Sequence, residues 1–582
     1  MGLKSDLLRL FPAPEFRKYQ KRTIEMMAEL FDSGVKCILL EAPVGSGKSL
    51  INTTFARYWR SFYTTPQLTL ITQILNDKNL GKYFRDIKGR RNYVCAHDPF
   101  ATVENGLCKR MKWFKCDKEV ECEYFKRKME CREWSTVITS AAYLILEGRW
   151  EESESYLGNR ELLIVDEGHN IAELVSDYIS ITLSPYSLPV VYNSIKDLLK
   201  EEYTDISDVI NLVKLTINKA KRFIDAIQTT LDGGFIISEK DSDAVTKVTR
   251  WLTSAEEFIN SVDKEWVWDS KITKNYRTLT IKPVYSRDFM EDYIWKRGER
   301  IIVSSATILN SKLFVFETGL DKIFKKSEIA LLKVPCTFDK ENRPIIDTTI
   351  GKMTIDEKYK NIGMAVKTIE NILRIEKGKV ALHCHSYGFA NMVYDYIAWD
   401  IKPRLIIHDA ENRNEKLQEW YKSKDGVFVS VKFEEGQDWK GELCDAQILL
   451  KVPYPDSKED ARIARRLERG EWTWYYLQTL KEVIQAYGRA IRSETDKKRF
   501  YVVDSSFYQL ISRNWTYVPE WFAEVLPKYW NKKEIENKID ELKKVRNSNI
   551  MPELKGKSDT ELKEIAIEVL KEECKDGHSY QV

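Results

Sequence analysis

Short apolar runs alternate along the chain with longer amphipathic stretches, and each change of period marks an element. Cys37 to Glu41 (CILLE) reads as a short apolar strand, Ala42 to Gly47 as a loop of small residues, and Lys48 through Trp59 as a helix. Phe16 to Met27 (FRKYQKRTIEMM) predicts an amphipathic helix ahead of that strand. Leu68 to Gln73 (LTLITQ) predicts a second apolar strand, with Thr72 and Gln73 at its polar end. Ser135 to Ile145 reads as a strand and a helix start, and Glu161 to Asp166 and Arg300 to Ile308 as further strands of the same unit. From about Ser176 to Lys282 the pattern turns helical, over Tyr192 to Glu202, Ile206 to Leu231 and Asp243 to Val262, with Trp251, Trp266 and Trp268 as packing residues. A second unit opens near Pro344. Its strands, Lys379 to Ser386, Pro403 to His408 and Gly426 to Lys432, alternate with helices, which is the pattern of a parallel sheet. Helical spacing returns in the tail after Leu526, over Lys532 to Val545 and Asp559 to Cys574.

Length and composition narrow the class. A chain of 582 residues is too long for one hydrophobic core. It lacks any apolar run of about eighteen residues and has no signal-peptide apolar region, so an intracellular protein with no membrane partner is expected. The 92 basic and 89 acidic residues nearly cancel, which leaves room for a local basic groove. Ten cysteines are present, and five of them (Cys95, Cys108, Cys116, Cys122 and Cys131) fall within one stretch. In a reducing compartment that clustering points to metal and not to disulfides. The spacing lacks paired C-x-x-C knuckles, and four thiolates from a loop of this size suit an iron-sulfur cluster.

The candidate chemistry is a nucleotide site in two parts. In APVGSGKS, backbone N–H groups of Val44 to Lys48 can converge on phosphate oxygens, where a Cβ at Gly45 or Gly47 would obstruct the approach. The whole loop, Ala42, Pro43, Val44, Gly45, Ser46, Gly47, Lys48 and Ser49, is the candidate ATP-binding segment, with Lys48 beside the β and γ phosphates and the Ser49 hydroxyl on Mg²⁺. Arg17 and Gln20 share a helical face, and Gln20 carries the donor and acceptor needed to read an adenine edge. IVDEGH supplies the second part: Asp166 to hold Mg²⁺, Glu167 to orient and deprotonate water, and His169 to couple the site to the domain. Ser305, Ala306 and Thr307 could hydrogen-bond that acidic pair. In the second unit, FEEGQDW places Gly436 and Asp438 after a strand. QAYGRAIR, which begins at Gln485, places Arg489 and Arg492 three apart on one helix face, suited to reach the γ-phosphate across a cleft. Basic and aromatic residues interleave with the cysteines, as expected of a surface that attracts phosphates and stacks bases. Thr72, Arg91, Tyr93 and Tyr143 are the candidate DNA contacts.

APVGSGKS, DEGH, SSAT, FEEGQDW and QAYGRAIR, in this order, resemble the motifs of superfamily-two helicases, and KGRRNYVC with the later cysteines resembles their XPD/DinG branch. The resemblance runs from about Phe16 to Asp504. It implies an α/β fold of two RecA-like parallel-sheet motor domains, with an iron-sulfur insertion and a helical arch in the first. The implied division is motor domain 1 at 1–87, 135–175 and 286–340, iron-sulfur insertion at 88–134, arch at 176–285, motor domain 2 at 341–526 and a helical tail at 527–582. By motif, Cys95, Cys108, Cys116 and Cys122 match the ligands of a 4Fe-4S cluster, with Cys131 spare. Gln485, Arg489 and Arg492 join Lys48, Asp166 and Glu167 as catalytic residues, and Gly436 and Asp438 join the ATP site. The implied activity is ATP-driven, Mg²⁺-dependent 5′ to 3′ movement on single-stranded DNA with unwinding of forked DNA, by a monomer. The residues alone also allow a DNA-stimulated ATPase that remodels protein-DNA complexes, an RNA helicase, or a scaffold with a silent motor. Gly168 stands where the family's DEAH motif carries alanine, a small-for-small change expected to keep activity.

Overall fold

The computed structural model of the chain describes residues 2–112, 114–148, 156–273, 275–409, 411–431, 443–489, 497–527, 532–548 and 551–577. Its first half holds strands β1 (Cys37–Glu41), β2 (Ser61–Thr65), β3 (Arg85–Ile87), β4 (Thr136–Ser140) and β5 (Arg160–Asp166). Then come β6 (Ile181–Leu183), β7 (Trp266–Thr273) and β8 (Tyr276–Pro283), followed by β9 (Gly298–Ser305) and β10 (Ile329–Lys333). The second half holds β11 (Ile345–Gly351), β12 (Val380–His383), β13 (Leu405–Ile407), β14 (Val427–Ser430), β15 (Ala446–Leu449) and β16 (Arg499–Asp504).

Two parallel sheets result, in the orders β10-β1-β9-β5-β2-β4-β3 and β11-β16-β15-β12-β14-β13. Both are two-faced, as strands covered by helices on each side must be. In the first sheet Ile38, Leu40, Ile164 and Ile302 point to one face, beneath the helices Gln20–Asp32 and Lys48–Tyr58. Leu39, Leu163, Val165, Ile301 and Val303 point to the other. That second face shares one continuous core with Val209 and Val213 of the helix Ile206–Asp232 and with Val248 and Phe258 of the helix Glu239–Asn260. The two halves also meet through apolar side chains: Val44, Ala306 and Leu309 of the first pack with Leu477, Leu480 and Ile484 of the second.

Several expectations are corrected. Leu68 to Gln73 lies in a helix, Leu68–Asn76, not a strand. Ile71 and Ile74, three apart, form its buried side, while the strand is the preceding SFYTT, buried throughout although four of its five residues carry hydroxyls. The helix expected from Phe16 starts at Gln20, after Tyr19 in a left-handed conformation (φ 69°). Tyr192 to Glu202 holds two short 3₁₀ turns, not a helix. The stretch from Trp266 to Pro283 is a hairpin that pairs with β6 in the antiparallel order β6-β8-β7. Its signal is the alternation in RTLTIKP, where Leu279, Ile281 and Pro283 are buried and the residues between them are not. Trp251 and Trp266 are buried, and Trp268 donates its indole N–H to the Tyr203 carbonyl at 2.8 Å.

Candidate nucleotide site and cysteine cluster

The site is assembled at the carboxyl ends of the parallel strands, where such sheets expose backbone groups to a ligand. Ala42, directly after β1, is pinned to β9 by its N–H on the Ser305 carbonyl (2.9 Å). Gly45 and Gly47 both adopt φ near 80°, a conformation that disfavours L side chains. A Cβ on Gly47 would stand 2.1 Å from the Gln20 amide nitrogen. Gln20 is therefore part of the loop's support: it donates to the Ser46 carbonyl at 3.3 Å while its carbonyl accepts from the Arg17 N–H at 2.8 Å. Both of its polar groups are thus engaged within the protein. Arg17 donates to the Gly45 carbonyl at 3.2 Å.

Lys48 Nζ lies 3.3 Å from Glu167 Oε1 and donates to the Ala42 carbonyl at 3.3 Å. Asp166, at the end of β5, accepts from the Tyr63 hydroxyl at 2.6 Å and from Ser304 Oγ at 2.9 Å. Burial raises its pKa, and the adjacent Glu167 charge adds to that, against the pull of Lys48. The Tyr63 hydroxyl also lies against Ser49, so one buried phenol joins the two candidate Mg²⁺ ligands. Tyr63 was not legible in the sequence because its strand, Ser61–Thr65, was expected seven residues later, from Leu68. Glu167 adopts φ 51°, a left-handed value that turns its carboxylate out of the strand toward the cleft. Of the SSAT residues, Ser304 holds Asp166, whereas Ser305 Oγ is 3.0 Å from His169 Nδ1 and Thr307 accepts from Gln485 Nε2 at 2.7 Å. The expected contact of Ser305 and Thr307 with the acidic pair is thus replaced by a relay to His169 and Gln485.

Gln485 belongs to the helix Trp472–Gly488 of the second half. A Cβ on Gly488 would stand 2.8 Å from Val44 Cγ2, so the helix end is seated directly on the phosphate loop. A cavity of ≈ 320 Å³ results, with Lys48, Ser49, Asp166 and Glu167 on one wall and Gln485 and Arg489 on the other. Arg489 is buried and close enough to His383 to oppose its protonation; burial is the larger cause, and together they lower the imidazole pKa to about 4. Arg492, Gly436 and Asp438 lie outside the described residues. His383 and His385 do not share a strand side as a metal pair would. His383 Nε2 meets Gln447 Oε1 at 2.9 Å, and His385 lies beyond the strand with φ 62°.

The cysteine segment leaves the first sheet after β3 and returns at β4. A Cβ on Gly106 would contact the sulfurs of Cys95 (3.1 Å) and Cys108 (3.7 Å). Burial raises the Cys108 pKa, Lys109 opposes it, and the thiols of Cys116, Cys95 and Cys122 raise it further. Cys131 is apart, 0% exposed in the core of the first sheet, with its thiol pushed up to about 12 by burial. Among the described residues no three His, Cys, Asp or Glu side chains stand grouped to hold one metal ion.

The candidate DNA contacts fare unevenly. Tyr143 is 6% exposed in the core and cannot stack on a base, a correction that follows from its place on the sheet-facing side of the helix Ala141–Gly148. Tyr93 is half-buried, its hydroxyl accepting from the Lys88 N–H at 3.0 Å and its ring edge-on to Tyr124. Arg91 is ion-paired with Glu104 and, at 3.0 Å, with Asp243. Thr72 is exposed on its helix and bonds the Leu68 carbonyl one turn back.

Comparison with known proteins agrees with this geometry. A family model of the helicase C-terminal domain matches residues 369–525, and one of the type III restriction enzyme res subunit matches residues 13–204. A solved XPD helicase superposes with a TM-score of 0.58 at 14% identity, covering 86% of this chain and 98% of that one. The chain thus carries a segment matched by the helicase C-terminal domain model and shares the fold of solved XPD helicases. The same XPD-like fold is seen in S. tokodaii Xpd4 (TM-score 0.53, 15% identity, 88% and 99% covered) and in an apo XPD (0.52, 14%, 86% and 98%). No curated protein sequence matches the chain. Among the described residues no helix is long and apolar enough to cross a membrane.

Two outcomes follow from these contacts. At Gly168 a Cβ would stand 2.5 Å from Val303 Cγ1 and 3.1 Å from Val165 Cγ1, so alanine overpacks the site; Gly168→Ala should cost about 1–3 kcal/mol in denaturant unfolding. His383 has a folded-state pKa below its ordinary 6.5, so its contribution to stability is complete above about pH 6.5 and is lost as pH falls toward 4. Wild-type stability should drop across that window by up to about 3 kcal/mol more than that of His383→Gln, measured by unfolding as a function of pH.

Proposed function

We propose that the protein is an ATP-dependent DNA helicase that moves 5′ to 3′ on single-stranded DNA and unwinds forked duplex. The observation that carries this reading is the shared cavity, with Lys48, Ser49, Asp166 and Glu167 facing Gln485 and Arg489 from the other sheet. A nucleotide in that position is gripped from both halves, so binding favours closure and loss of the γ-phosphate releases it. Lys48 supplies positive charge at the β and γ phosphates. Mg²⁺ held by Ser49 and Asp166 would neutralise charge on the bridging oxygens, and the raised pKa of the unliganded Asp166 carboxyl fits a group that waits for a cation. Glu167 orients and deprotonates the attacking water, with His169 Nδ1 3.4 Å from its Oε2. The Gln485–Thr307 hydrogen bond reports to each half the position of the other. Arg489, with Arg492, completes the grip on the γ-phosphate.

Cys95, Cys108, Cys116 and Cys122 are proposed to hold a 4Fe-4S cluster. In such a cluster each thiolate binds a different iron, so the ligands must surround a common volume and need not meet at one point. The cluster would tie four separate turns of a 47-residue insertion, 88–134, into one rigid body, a role suited to a segment placed against single-stranded DNA.

Lys48→Ala should bind single-stranded DNA at near wild-type affinity while DNA-stimulated ATP hydrolysis falls to background. Hydrolysis that persists in this variant would remove the assignment. On forks with a single 5′ or 3′ overhang, only the 5′ substrate should be opened. Anaerobically purified protein should contain close to four irons per chain with visible sulfur-to-iron absorption, and Cys116→Ser should lose both; stoichiometric zinc without iron would reject the cluster.

A further inference from the structure

The helix Ala461–Glu468 belongs by sequence to the second half, between β15 and β16, yet its polar contacts run to the first half and to the β7-β8 hairpin. The Ala461 N–H donates to Asp269 Oδ2 at 3.0 Å; just before it, Glu459 Oε2 pairs with Lys271 at 2.9 Å and Asp460 Oδ2 with Lys282 at 3.4 Å. Arg462 donates to Ser176 Oγ at 2.9 Å and pairs with Glu173, a short way beyond the DEGH motif. Arg466 is 2% exposed and forks onto both carboxylate oxygens of Glu317 at 2.6 and 2.7 Å. Its Nε donates to Glu471 at 2.8 Å, and its guanidinium lies 3.8 Å over the Trp474 ring. None of these residues lines the nucleotide cavity.

We propose that this helix is the fixed pivot about which the two halves open and close, and that the β7-β8 hairpin stays joined to the second half there throughout the cycle. The reason is the cost of separating buried charges. Pulling Arg466 from Glu317 strips a buried guanidinium of its bidentate partner and leaves a desolvated charge uncompensated, which is strongly unfavourable. The nucleotide end is held differently, by the neutral Gln485–Thr307 hydrogen bond and by apolar contact of Val44 with the end of the long helix. Water can take over a neutral hydrogen bond at small net cost, so that end is free to part. The helix Trp472–Gly488 links the two ends; with 17 residues it is about 25 Å long, so a small rotation at its latched start becomes a large displacement at Arg489.

This inference rests on the motor reading above, and one experiment separates the two. Spin labels on p-acetylphenylalanine, which spare the native thiols, are placed across the pivot at Ile272 and Arg465 and across the two halves at Tyr58 and Tyr359, all on exposed side chains. Distances are measured by pulsed EPR without nucleotide and with saturating Mg²⁺ and a non-hydrolysable ATP analogue. The Tyr58–Tyr359 distance should shift while the Ile272–Arg465 distance stays fixed. A shift of the Ile272–Arg465 distance overturns the pivot, and if the other pair also shifts the motor reading survives it. No shift in either pair removes the motor reading and the pivot with it.

Discussion

Two carboxylates side by side at the end of a buried strand are electrostatically costly, and much of the first half can be understood as the surroundings that make them tolerable. Asp166 has the Tyr63 and Ser304 hydroxyls on its two oxygens, and Glu167 is turned outward by a left-handed backbone to meet Lys48. These contacts hold the geometry, but they do not supply enough positive charge to bring the Asp166 pKa down to its usual range. The site is thus built with a deficit of positive charge, which a divalent cation and the guanidinium of Arg489 from the opposite wall can fill. The same deficit explains why the phosphate loop is fixed so thoroughly by Gln20, Arg17 and the Ser305 carbonyl. A cationic lysine can serve two carboxylates and a triphosphate only if its loop does not drift.

What was legible in the sequence was the chemistry carried by contiguous residues. The strand, glycine loop and helix around Lys48, the acidic pair and the run from Gln485 each combine spacing with residue type, and each lies against the one cavity. What was not legible depended on burial by distant parts of the chain. SFYTT is rich in hydroxyls and does not look like a central strand, yet three of its hydroxyls find partners there: Ser61 on the Ala56 carbonyl, Tyr63 on Asp166 and Thr65 on the Gln67 carbonyl. With that strand unseen, the apolar LTLITQ that follows was taken for it. Likewise the interleaved charges of the cysteine segment suggested phosphate contacts, but a sequence does not reveal that Arg91 already faces Asp243 across 152 positions. Tyr143 failed for the same reason, since a tyrosine beside a strand end can face either solvent or core.

The cysteines illustrate how local and distant information combine. Among five clustered thiols, the motif match left Cys131 as the spare. Cys131 sits beneath the first sheet, with its carbonyl bonded to Arg160 at 2.7 Å, whereas Cys95 and Cys108 lie beside Gly106.

The core beneath the lower face of the first sheet is shared between the sheet's own helices and the segment between β6 and β7. Leu163, Val165 and Val303 pack into the same apolar mass as Val209, Val213 and Phe258 from the segment between β6 and β7. That segment is therefore not a detachable appendage. Shortening it to obtain a minimal enzyme would lay open the underside of the strand that ends in Asp166, and lineages that remodel this region are constrained to keep its inward-facing residues apolar while its outer surface varies freely.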